Sequence, residues 1–382
     1  MNDDTAPGSA IDHVMMARAL RLAERGLWTT QPNPRVGCVI ARDGEVVGEG
    51  FHARAGEPHA ETFALRAAGG RARGATAYVT LEPCAHHGRT PPCADALIAS
   101  GVSRVVVACE DPNPKAGGGI PRLRAAGIGV QTGLLREAAR ELNRGFLARL
   151  EHGRPWARVK LAMSLDGRTA LANGTSKWIT GDAARTDVQR WRARSSAILT
   201  GAGTARMDDP RLTARIGAGA PPARSDARGQ EAFGPLRVVL DARLDALAAN
   251  AHLLDGGAPT LVLHAPGVEP PDDRYRRCER ASVPVDGGGR LDLAAAMRIL
   301  ATRQVNELQV EAGPTLAGAL FSANLVDELL LYVAPVLLGD AALPLLRLPP
   351  LVDMAQCRVL RLIEQRQLGD AWRLLLRPGD VS

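Results

Sequence analysis

Two successive runs of alternating apolar strands and amphipathic helices limit what this chain can fold into. In the first run, strands are predicted at RVGCVIAR (35–42), ATAYVTLEP (75–83) and SRVVVACE (103–110), with helices at 11–25, at 59–68 and after Pro91. A second run starts at WARVKLAMS (156–164) and continues through a helix at 181–193 and the strand AILTG (197–201). Such alternation is typical of layered α/β domains with a mostly parallel sheet.

A helix predicted at 134–150, followed by the polar segment EHGRP, separates the two runs. We therefore predict two domains, 9–152 and 153–378, which is compatible with a length of 382 residues at about 150 residues per domain. The segment GAGAPPARSDARGQEAFG (217–234) combines Gly, Ala, Pro and charged residues and is predicted to be a surface loop.

Composition argues against several classes of protein. The longest nearly unbroken apolar run is ten residues, 329–338, whereas a membrane-spanning helix needs about 20. The acidic start MNDDTAPGSAID does not fit a signal peptide, so a cytoplasmic protein with no membrane partner is predicted. The few aromatic residues, 5 Trp, 3 Tyr and 5 Phe, offer little for base stacking and argue against a nucleic-acid partner. A net charge of +6 also suits small anionic ligands.

The first group of residues with a chemical meaning is His59, Glu61, Cys84 and Cys93. One imidazole and two thiolates make three zinc ligands, whereas a structural zinc site normally has four, so one position stays open for water. Zinc lowers the pKa of that water, and Glu61, which is not a ligand, can move the proton from water to the substrate. Taken singly, the cysteines also fit buried core thiols and the histidine a surface residue; the combination favours a hydrolytic zinc deaminase.

Four segments carry a resemblance to the cytidine-deaminase superfamily and, within it, to the bifunctional deaminase/reductase family of riboflavin biosynthesis. They are PNPRVGCVI (32–40), GFHARAGEPHAE (50–61), LEPCAHHGRTPPC (81–93) and DPNPK (111–115). The resemblance implies a cytidine-deaminase-like three-layer α/β/α domain with one zinc ion. It also implies substrate contacts at Asn33, His52, His86, Arg89, Asp111, Asn113 and Lys115. Asn33 and Asn113 precede prolines and also fit plain turn residues.

One segment departs from that family's pattern. The family usually has Asn-Pro-Lys-Val-Ala-Gly-x-Gly-Ile after Asp-Pro, whereas this chain has NPKAGGGI (113–120), which is one residue shorter after Lys115. We expect the run Gly117-Gly118-Gly119 to absorb the difference, because glycine tolerates unusual backbone angles.

Three later segments form the second group: KLAMSLDGRTALANGTSKWITG (160–181), GAGTARMDDPRLTAR (201–215) and VEAGPTLAGAL (310–320). The last predicts a strand, then Gly313, then a helix whose free N–H groups suit a diphosphate. A Gly-x-Gly-x-x-Gly fingerprint does not follow the first strand of either domain, so a Rossmann site is not supported. In this order the segments resemble the reductase domain of the same family, which is an α/β domain similar to dihydrofolate reductase.

That resemblance implies two sets of contacts. NADPH would be contacted by Ala162, Trp178, Thr204, Asp208, Ala242, Gly313, Pro314, Thr315, Leu316, Ala317, Gly318 and Ala319. The substrate would be contacted by Ser176, Arg192, Leu212, Arg215 and Glu311. Arg192 and Arg215 suit a ribose phosphate, although without the family match they also fit a solvated helix face and a loop cation. An obvious acid or base for the sugar does not stand out in this half.

The expected function is that of a bifunctional riboflavin-biosynthesis enzyme that acts on small phosphoribosyl pyrimidines. Zinc-dependent deamination would be followed by NADPH-dependent reduction of the ribosyl group to ribityl. The alternatives are a deaminase with an inactive reductase-like domain, an RNA-binding deaminase, which the few aromatic residues disfavour, and a structural zinc protein, which the three-ligand set disfavours. The sequence does not determine the oligomeric state, and a homo-oligomer is compatible with it.

Overall fold

The structure, a computed structural model, describes residues 8–87, 91–175, 179–215, 224–225, 231–232 and 234–379. The chain forms two compact units: the first comprises the chain up to Gly153 together with the described residues Arg224, Ser225 and Glu231, and the second comprises the other described residues from Arg154 onward. Among the described residues, none of the helices combines the length and the apolar character that crossing a membrane would require.

The first unit alternates helices and strands over its whole length. Its helices are α1 (Ala10–Glu24), α2 (Ala60–Ala68), α3 (Cys93–Ser100), α4 (Gly119–Ala125), α5 (Arg136–Leu142) and α6 (Arg144–His152). Its strands are β1 (Gly37–Arg42), β2 (Glu45–Phe51), β3 (Thr76–Val79), β4 (Arg104–Val107) and β5 (Gly129–Thr132), and they form one sheet in the order β2-β1-β3-β4-β5.

Both faces of this sheet are covered by helices. Along β1, Cys38 and Ile40 pack in one apolar cluster with residues of α2, α3 and α4. Val39 and Ala41 point to the other face and pack in a second cluster with residues of α1, α5 and α6. Since successive side chains of a strand point to opposite faces, the near-continuous apolar sequence of β1 follows from this burial on both sides. The predicted three-layer α/β/α architecture is confirmed.

Two details of the first unit differ from the prediction. The sheet is parallel only across β3-β4-β5, whereas β1 pairs antiparallel with both β2 and β3. The two-residue turn at Asp43 and Gly44, both at positive φ, forms the hairpin between β1 and β2 that an Asp-Gly pair predicts. The single helix predicted at 134–150 is wrong, since Asn143 separates α5 from α6. Its side chain accepts the Arg35 N–H at 2.8 Å and donates to the Arg35 carbonyl at 2.9 Å.

Beyond Arg154 the chain contains four further α-helices within the described residues, α7 (Asp182–Arg194), α8 (Ala202–Asp208), α9 (Leu293–Thr302) and α10 (Pro314–Ser322). The strands in this part are β6 (Trp156–Ser164), β7 (Arg168–Ala170), β8 (Ala197–Gly201), β9 (Arg224–Ser225), β10 (Glu231–Ala232), β11 (Leu236–Leu240), β12 (Thr260–His264), β13 (Glu279–Ser282), β14 (Glu307–Val310), β15 (Glu328–Ala334), β16 (Leu343–Pro344), β17 (Leu360–Leu368) and β18 (Ala371–Pro378). Most of the loop predicted at 217–234 lies outside the described residues.

The main sheet of the second unit has the order β13-β12-β11-β8-β14-β6-β15-β18-β17. All pairs from β13 to β15 are parallel, and the hairpin β17-β18 adds two antiparallel pairs at one edge. The largest apolar cluster joins residues of these strands to α9 and α10. Because the parallel strands run the same way, their carboxyl ends meet along one edge, where ligands bind in open α/β sheets.

Candidate active sites

The zinc-ligand candidates of the first unit converge at the starts of two helices. His59 is the N-cap residue of α2, Cys93 is the first residue of α3, and Cys84 lies in the loop after β3. Their donor atoms all lie within 4.8 Å of one another. His59 Nδ1 is 3.3 Å from Cys93 Sγ and 3.6 Å from Cys84 Sγ, and the Cys93 N–H lies 3.4 Å from Cys84 Sγ. The structure thus brings together three residues that are up to 34 positions apart.

Glu61 lies in the first turn of α2 and is only 3% exposed. Its Oε2 atom is buried and has no hydrogen-bond partner among the described residues. Burial raises the pKa of Glu61, while hydrogen bonds from Cys93 and His59 lower the pKa of Cys84 against its burial. A buried carboxyl oxygen without a partner, beside an imidazole and two thiols, fits a zinc ion with a bound water better than it fits an apolar core.

His52 is buried beside this cluster, and both of its ring nitrogens are occupied. Nδ1 lies 3.2 Å from the Pro58 carbonyl, and Nε2 lies 3.1 Å from Nδ2 of Asn33. Burial lowers the pKa of His52 to about 4, so the ring is neutral at pH 7 and its Nε2 accepts from the Asn33 amide. The ring centroids of His52 and His59 are 5.3 Å apart. The predicted substrate contacts Asn33 and His52 are therefore linked to each other, next to a zinc-ligand candidate.

The other predicted substrate contacts of the first unit lie on two loops. Asp111, Asn113 and Lys115 follow β4, where Asp111 Oδ1 accepts the Asn113 N–H at 2.9 Å and Asn113 Oδ1 accepts the Lys115 N–H at 3.1 Å. Burial, with some help from the charge of Glu82, raises the pKa of Asp111 to about 6. His86 is exposed just after Cys84, and Arg89 lies outside the described residues.

The second unit has a cavity of about 1890 Å³ at the carboxyl ends of its parallel strands. A dinucleotide needs a site of this kind, since drug-sized ligands already occupy pockets of roughly 300–1,000 Å³. Gly313 is the N-cap of α10 and donates its N–H to Thr204 Oγ1 at 3.2 Å, which joins two predicted cofactor contacts. The predicted residues that line the cavity are Ala162, Arg192, Thr204, Asp208, Leu212, Ala242, Glu311, Gly313, Pro314, Thr315, Leu316 and Ala319.

Some predicted contacts do not line this cavity. Ala317 is fully buried in the apolar cluster of the sheet, because the helical period of α10 turns it away from the cavity. A Cβ added to Gly318 would lie 2.0 Å from the Arg347 carbonyl oxygen, so this glycine allows a close approach of backbone. Arg215 is exposed, and its guanidinium forms no ion pair among the described residues. Ser176 and Trp178 lie outside the part of the chain that the structure describes.

Lys160 was not singled out from the sequence, yet it lines the cavity together with Arg192 and Glu311. Burial lowers the pKa of Lys160, Glu311 opposes that shift, and the ammonium lies 5.8 Å from the centre of the Tyr332 ring. A signal was present in the sequence, because a lysine in the largely apolar strand β6, where it is only partly exposed, is uncommon without a partner or a function.

A zinc-type donor set on an α/β/α unit, followed by a parallel-sheet unit with a cofactor-sized cavity, defines a two-domain deaminase and reductase. Comparison with known families agrees with this class. The zinc-binding region of cytidine and deoxycytidylate deaminases matches residues 9–109, and the RibD C-terminal domain matches residues 155–372. The chain belongs to the RibD family of riboflavin biosynthesis proteins.

Individual relatives match almost from end to end. Riboflavin biosynthesis protein RibD of Escherichia coli (strain K12) is 49% identical over 94% of this chain and 97% of its own length. The structure of Acinetobacter baumannii RibD, form 1, has a TM-score of 0.86 at 43% identity and covers 97% of this chain and 99% of that one. A diaminohydroxyphosphoribosylaminopyrimidine deaminase/5-amino-6-(5-phosphoribosylamino)uracil reductase from Thermotoga maritima has a TM-score of 0.81 at 32% identity, covering 97% and 99%.

The expected bifunctional enzyme is thereby confirmed. The chain has a zinc-dependent deaminase domain with a cytidine-deaminase-like fold and an NADPH-dependent reductase domain of the type that resembles dihydrofolate reductase. It takes part in riboflavin biosynthesis, and both expected cofactors, Zn²⁺ and NADPH, are supported.

Proposed function

We propose that the chain carries out two consecutive reactions on one phosphoribosyl pyrimidine. The first unit hydrolyses the 2-amino group of 2,5-diamino-6-(5-phosphoribosylamino)pyrimidin-4(3H)-one, releases ammonia and leaves 5-amino-6-(5-phosphoribosylamino)uracil. The second unit reduces the ribosyl group of that product to ribityl. The observation that carries the proposal is the cluster of His59, Cys84 and Cys93 beside the unpartnered carboxyl oxygen of Glu61.

In the deamination, His59, Cys84 and Cys93 would hold the zinc ion, whose chemistry is to make a water molecule nucleophilic at neutral pH. Glu61 Oε2 takes a proton from the attacking water and delivers it to the ring nitrogen beside the amino-bearing carbon. The same oxygen then carries the second proton to the departing amine, which leaves as ammonia. Because this oxygen is already desolvated and has no partner in the described residues, it can bind the incoming water without losing another bond.

We assign the pyrimidine and its phosphate to the residues around this cluster. Asn33, oriented by His52, presents its amide to the ring, and Asp111, Asn113 and Lys115 approach from the loop after β4. The cationic side chains of Lys115 and Arg89 and the imidazole of His86, as hydrogen-bonding groups, suit the phosphate. These substrate contacts rest on the family resemblance and on the closeness of Asn33 and His52 to His59.

In the reduction, the cavity residues at the start of α10 and around Thr204 would hold NADPH, whose chemistry is hydride donation. Bound NADPH would supply hydride to C1′ of the ribose, which would require the C1′–O4′ bond to break and O4′ to take a proton. We assign that proton to Lys160 Nζ, because it faces the cavity from the middle of β6 and its pKa is lowered by burial. Arg215 suits the phosphate, since Arg192 is held by Glu311.

We place both reactions in the cytoplasm, on small-molecule substrates and without a nucleic-acid partner. The six cysteines lie in the described part of the chain and form no disulfide, and the two zinc-binding thiolates need a reducing compartment to stay ligands.

The test is to supply the diaminopyrimidine phosphate with and without NADPH and to identify the products by mass spectrometry. Without NADPH, we expect an amino group to be replaced by oxygen and ammonia to be released. With NADPH, the deaminated compound should also gain two hydrogens. Release of ammonia without any reduction would refute the second reaction, and an unchanged pyrimidine would refute the first.

A further inference from the structure

Glu82 is a buried carboxylate that none of the predicted substrate or zinc contacts includes. It lies three residues after the end of β3, is 9% exposed, and accepts three backbone hydrogen bonds from the segment that runs from the end of β4 into the first turn of α4. Oε1 accepts the N–H groups of Gly118 and Ile120, both at 3.0 Å, and Oε2 accepts the Asp111 N–H at 3.2 Å. Both oxygens of one side chain therefore hold the two ends of the segment 111–120.

The same loop also lies directly on the backbone that presents Cys84. The Ala85 N–H donates to the Ala116 carbonyl at 3.0 Å. A Cβ added to Gly119 would lie 1.8 Å from the Pro83 carbonyl oxygen, so only glycine permits this approach. The loop and the segment from Glu82 to Ala85 are consequently packed backbone to backbone.

Between the two ends, the loop is organised by its own side chains. Asp111 accepts the N–H of Asn113, and Asn113 accepts the N–H of Lys115. Asp111 at the start of this run is bonded to Glu82 Oε2, and Gly118, three residues after Lys115, is bonded to Glu82 Oε1. We therefore expect a change at Glu82 to move Asp111, Asn113 and Lys115 relative to Cys84. This is also the segment in which the chain is one residue shorter than its family's usual pattern.

We propose that Glu82 is a positioning residue for the deamination: it fixes the loop that carries Asp111, Asn113 and Lys115 at a set distance from the Cys84 ligand. The proposal rests on the function proposed above, in which these three residues bind the pyrimidine. A carboxylate is needed because three N–H donors require two acceptor oxygens. A glutamine in its place has one acceptor oxygen, and its NH₂ group would face an N–H donor.

The test uses the full-length, zinc-loaded chain and the variants Glu82→Gln, Glu82→Asp and Asp12→Asn. Asp12 is the matched control, because it is a buried carboxylate of the same unit whose partners are Arg104 and Tyr78 instead of the loop. We expect Glu82→Gln to raise KM for the pyrimidine about tenfold or more while kcat changes by less than about threefold, as for lost substrate positioning. Glu82→Asp keeps both acceptor oxygens and should raise KM less. Asp12→Asn should lower the melting temperature and leave KM unchanged.

Two readouts do not depend on turnover. Zinc content should be unchanged in every variant, and hydrogen exchange of the amides of Gly118 and Ile120 should be about tenfold faster in Glu82→Gln and unchanged in Asp12→Asn. Faster exchange without a rise in KM, or an equal rise in KM in Asp12→Asn, would overturn the proposal. If the wild-type chain does not deaminate the pyrimidine, the proposed function is refuted instead. If amide exchange is unchanged in Glu82→Gln, the proposal that the Glu82 hydrogen bonds fix the loop is refuted.

Discussion

Arg192 donates to both carboxylate oxygens of Glu311 in the lining of the reductase cavity, with Nε 2.7 Å from Oε1 and Nη2 2.7 Å from Oε2. The third nitrogen of the guanidinium donates to the Thr213 carbonyl at 3.1 Å. Both partners are largely buried, so this forked pair orders the cavity wall and also determines how the second unit responds to acid.

The low-pH stability of the second unit should depend on Glu311. Burial alone would raise the pKa of Glu311, but the charge and hydrogen bonds of Arg192, with help from Lys160, lower it to about 2. A depressed folded-state pKa contributes stability above the usual carboxyl pKa, and that contribution is lost as the pH falls from about 4.5 towards 2. Between pH 6 and pH 3.5 we expect the free energy of unfolding to lose about 1 kcal/mol through this group. Urea unfolding of the wild type should show this loss.

Two variants isolate the effect of Glu311 from that of the other carboxyl groups. Glu311→Gln should show a smaller loss of stability between the two pH values. Glu279→Gln, which removes an exposed carboxylate of the same unit, should behave like the wild type. Equal pH dependence in all three proteins would contradict the assignment.

Zinc binding should require Cys84 specifically, and another cysteine of the same unit should be dispensable. We expect purified Cys84→Ser protein to lose most of its zinc, because a hydroxyl is a far weaker ligand than a thiolate and only two good ligands remain. Cys109→Ser is the matched control, since Cys109 is a buried thiol of the same unit outside the cluster, and it should keep its zinc. Mass spectrometry measures the number of zinc ions per chain. One zinc ion per chain in Cys84→Ser would contradict the assignment of Cys84 as a ligand.

The two reactions should be separable by single substitutions. Glu61→Gln keeps the size of the side chain but removes the base, so deamination should drop by about two to four powers of ten while zinc stays bound. Reduction of supplied 5-amino-6-(5-phosphoribosylamino)uracil should continue near the normal rate. Arg215→Ala should lower the rate of reduction and leave deamination unchanged. If a folded Glu61→Gln protein lost both activities, one shared site would have to replace the two-site interpretation.

Lys160→Met should affect the reduction at its chemical step. The substitution keeps the length and apolar stem of the side chain but removes the proton donor, so kcat for reduction should fall by about two powers of ten or more. NADPH affinity, measured by fluorescence titration, and deamination should both stay close to wild type. Reduction at an undiminished rate would show that the proton comes from another group or from solvent.

The shortened loop should tolerate a change in length better than a change at Gly119. Gly118 has a φ of +97°, and a Cβ at Gly119 would lie 1.8 Å from the Pro83 carbonyl oxygen, so we predict that the glycine run takes up the difference in length. Inserting a Val after Lys115 should alter deamination by less than about tenfold, or 1.4 kcal/mol in the barrier. Gly119→Ala should reduce it more, because neither backbone segment can move away freely. A larger effect of the insertion in a steady-state deamination assay would contradict this interpretation.

Much of the molecule could be predicted from short stretches of sequence. Two of the three zinc-ligand candidates lie at the start of a helix: His59 is the N-cap of α2, and Cys93 is the first residue of α3 directly after two prolines. The third, Cys84, lies in the loop after β3 and was identifiable from its spacing to Cys93. The strands β6 and β8 have the predicted bounds, since their apolar runs are broken by clear turn residues. These features depend on neighbouring residues, so periodicity and spacing are enough to recognise them.

Other features depend on partners that are far away in the chain. Asn143 ends α5 because it bonds to Arg35, which is 108 residues away. Lys160 and Glu311 line the same cavity only because β6 and β14 are adjacent in the sheet. Likewise, the sequence around Glu82 does not distinguish it from other acidic residues, since its hydrogen bonds to the segment after β4 form only in the folded chain. Local periodicity therefore sufficed to predict the order of elements, and spacing sufficed to identify the zinc-ligand candidates. The proposed positioning and proton-transfer groups could be recognised only in the tertiary structure, because burial and hydrogen bonding between distant residues set the chemistry of such groups.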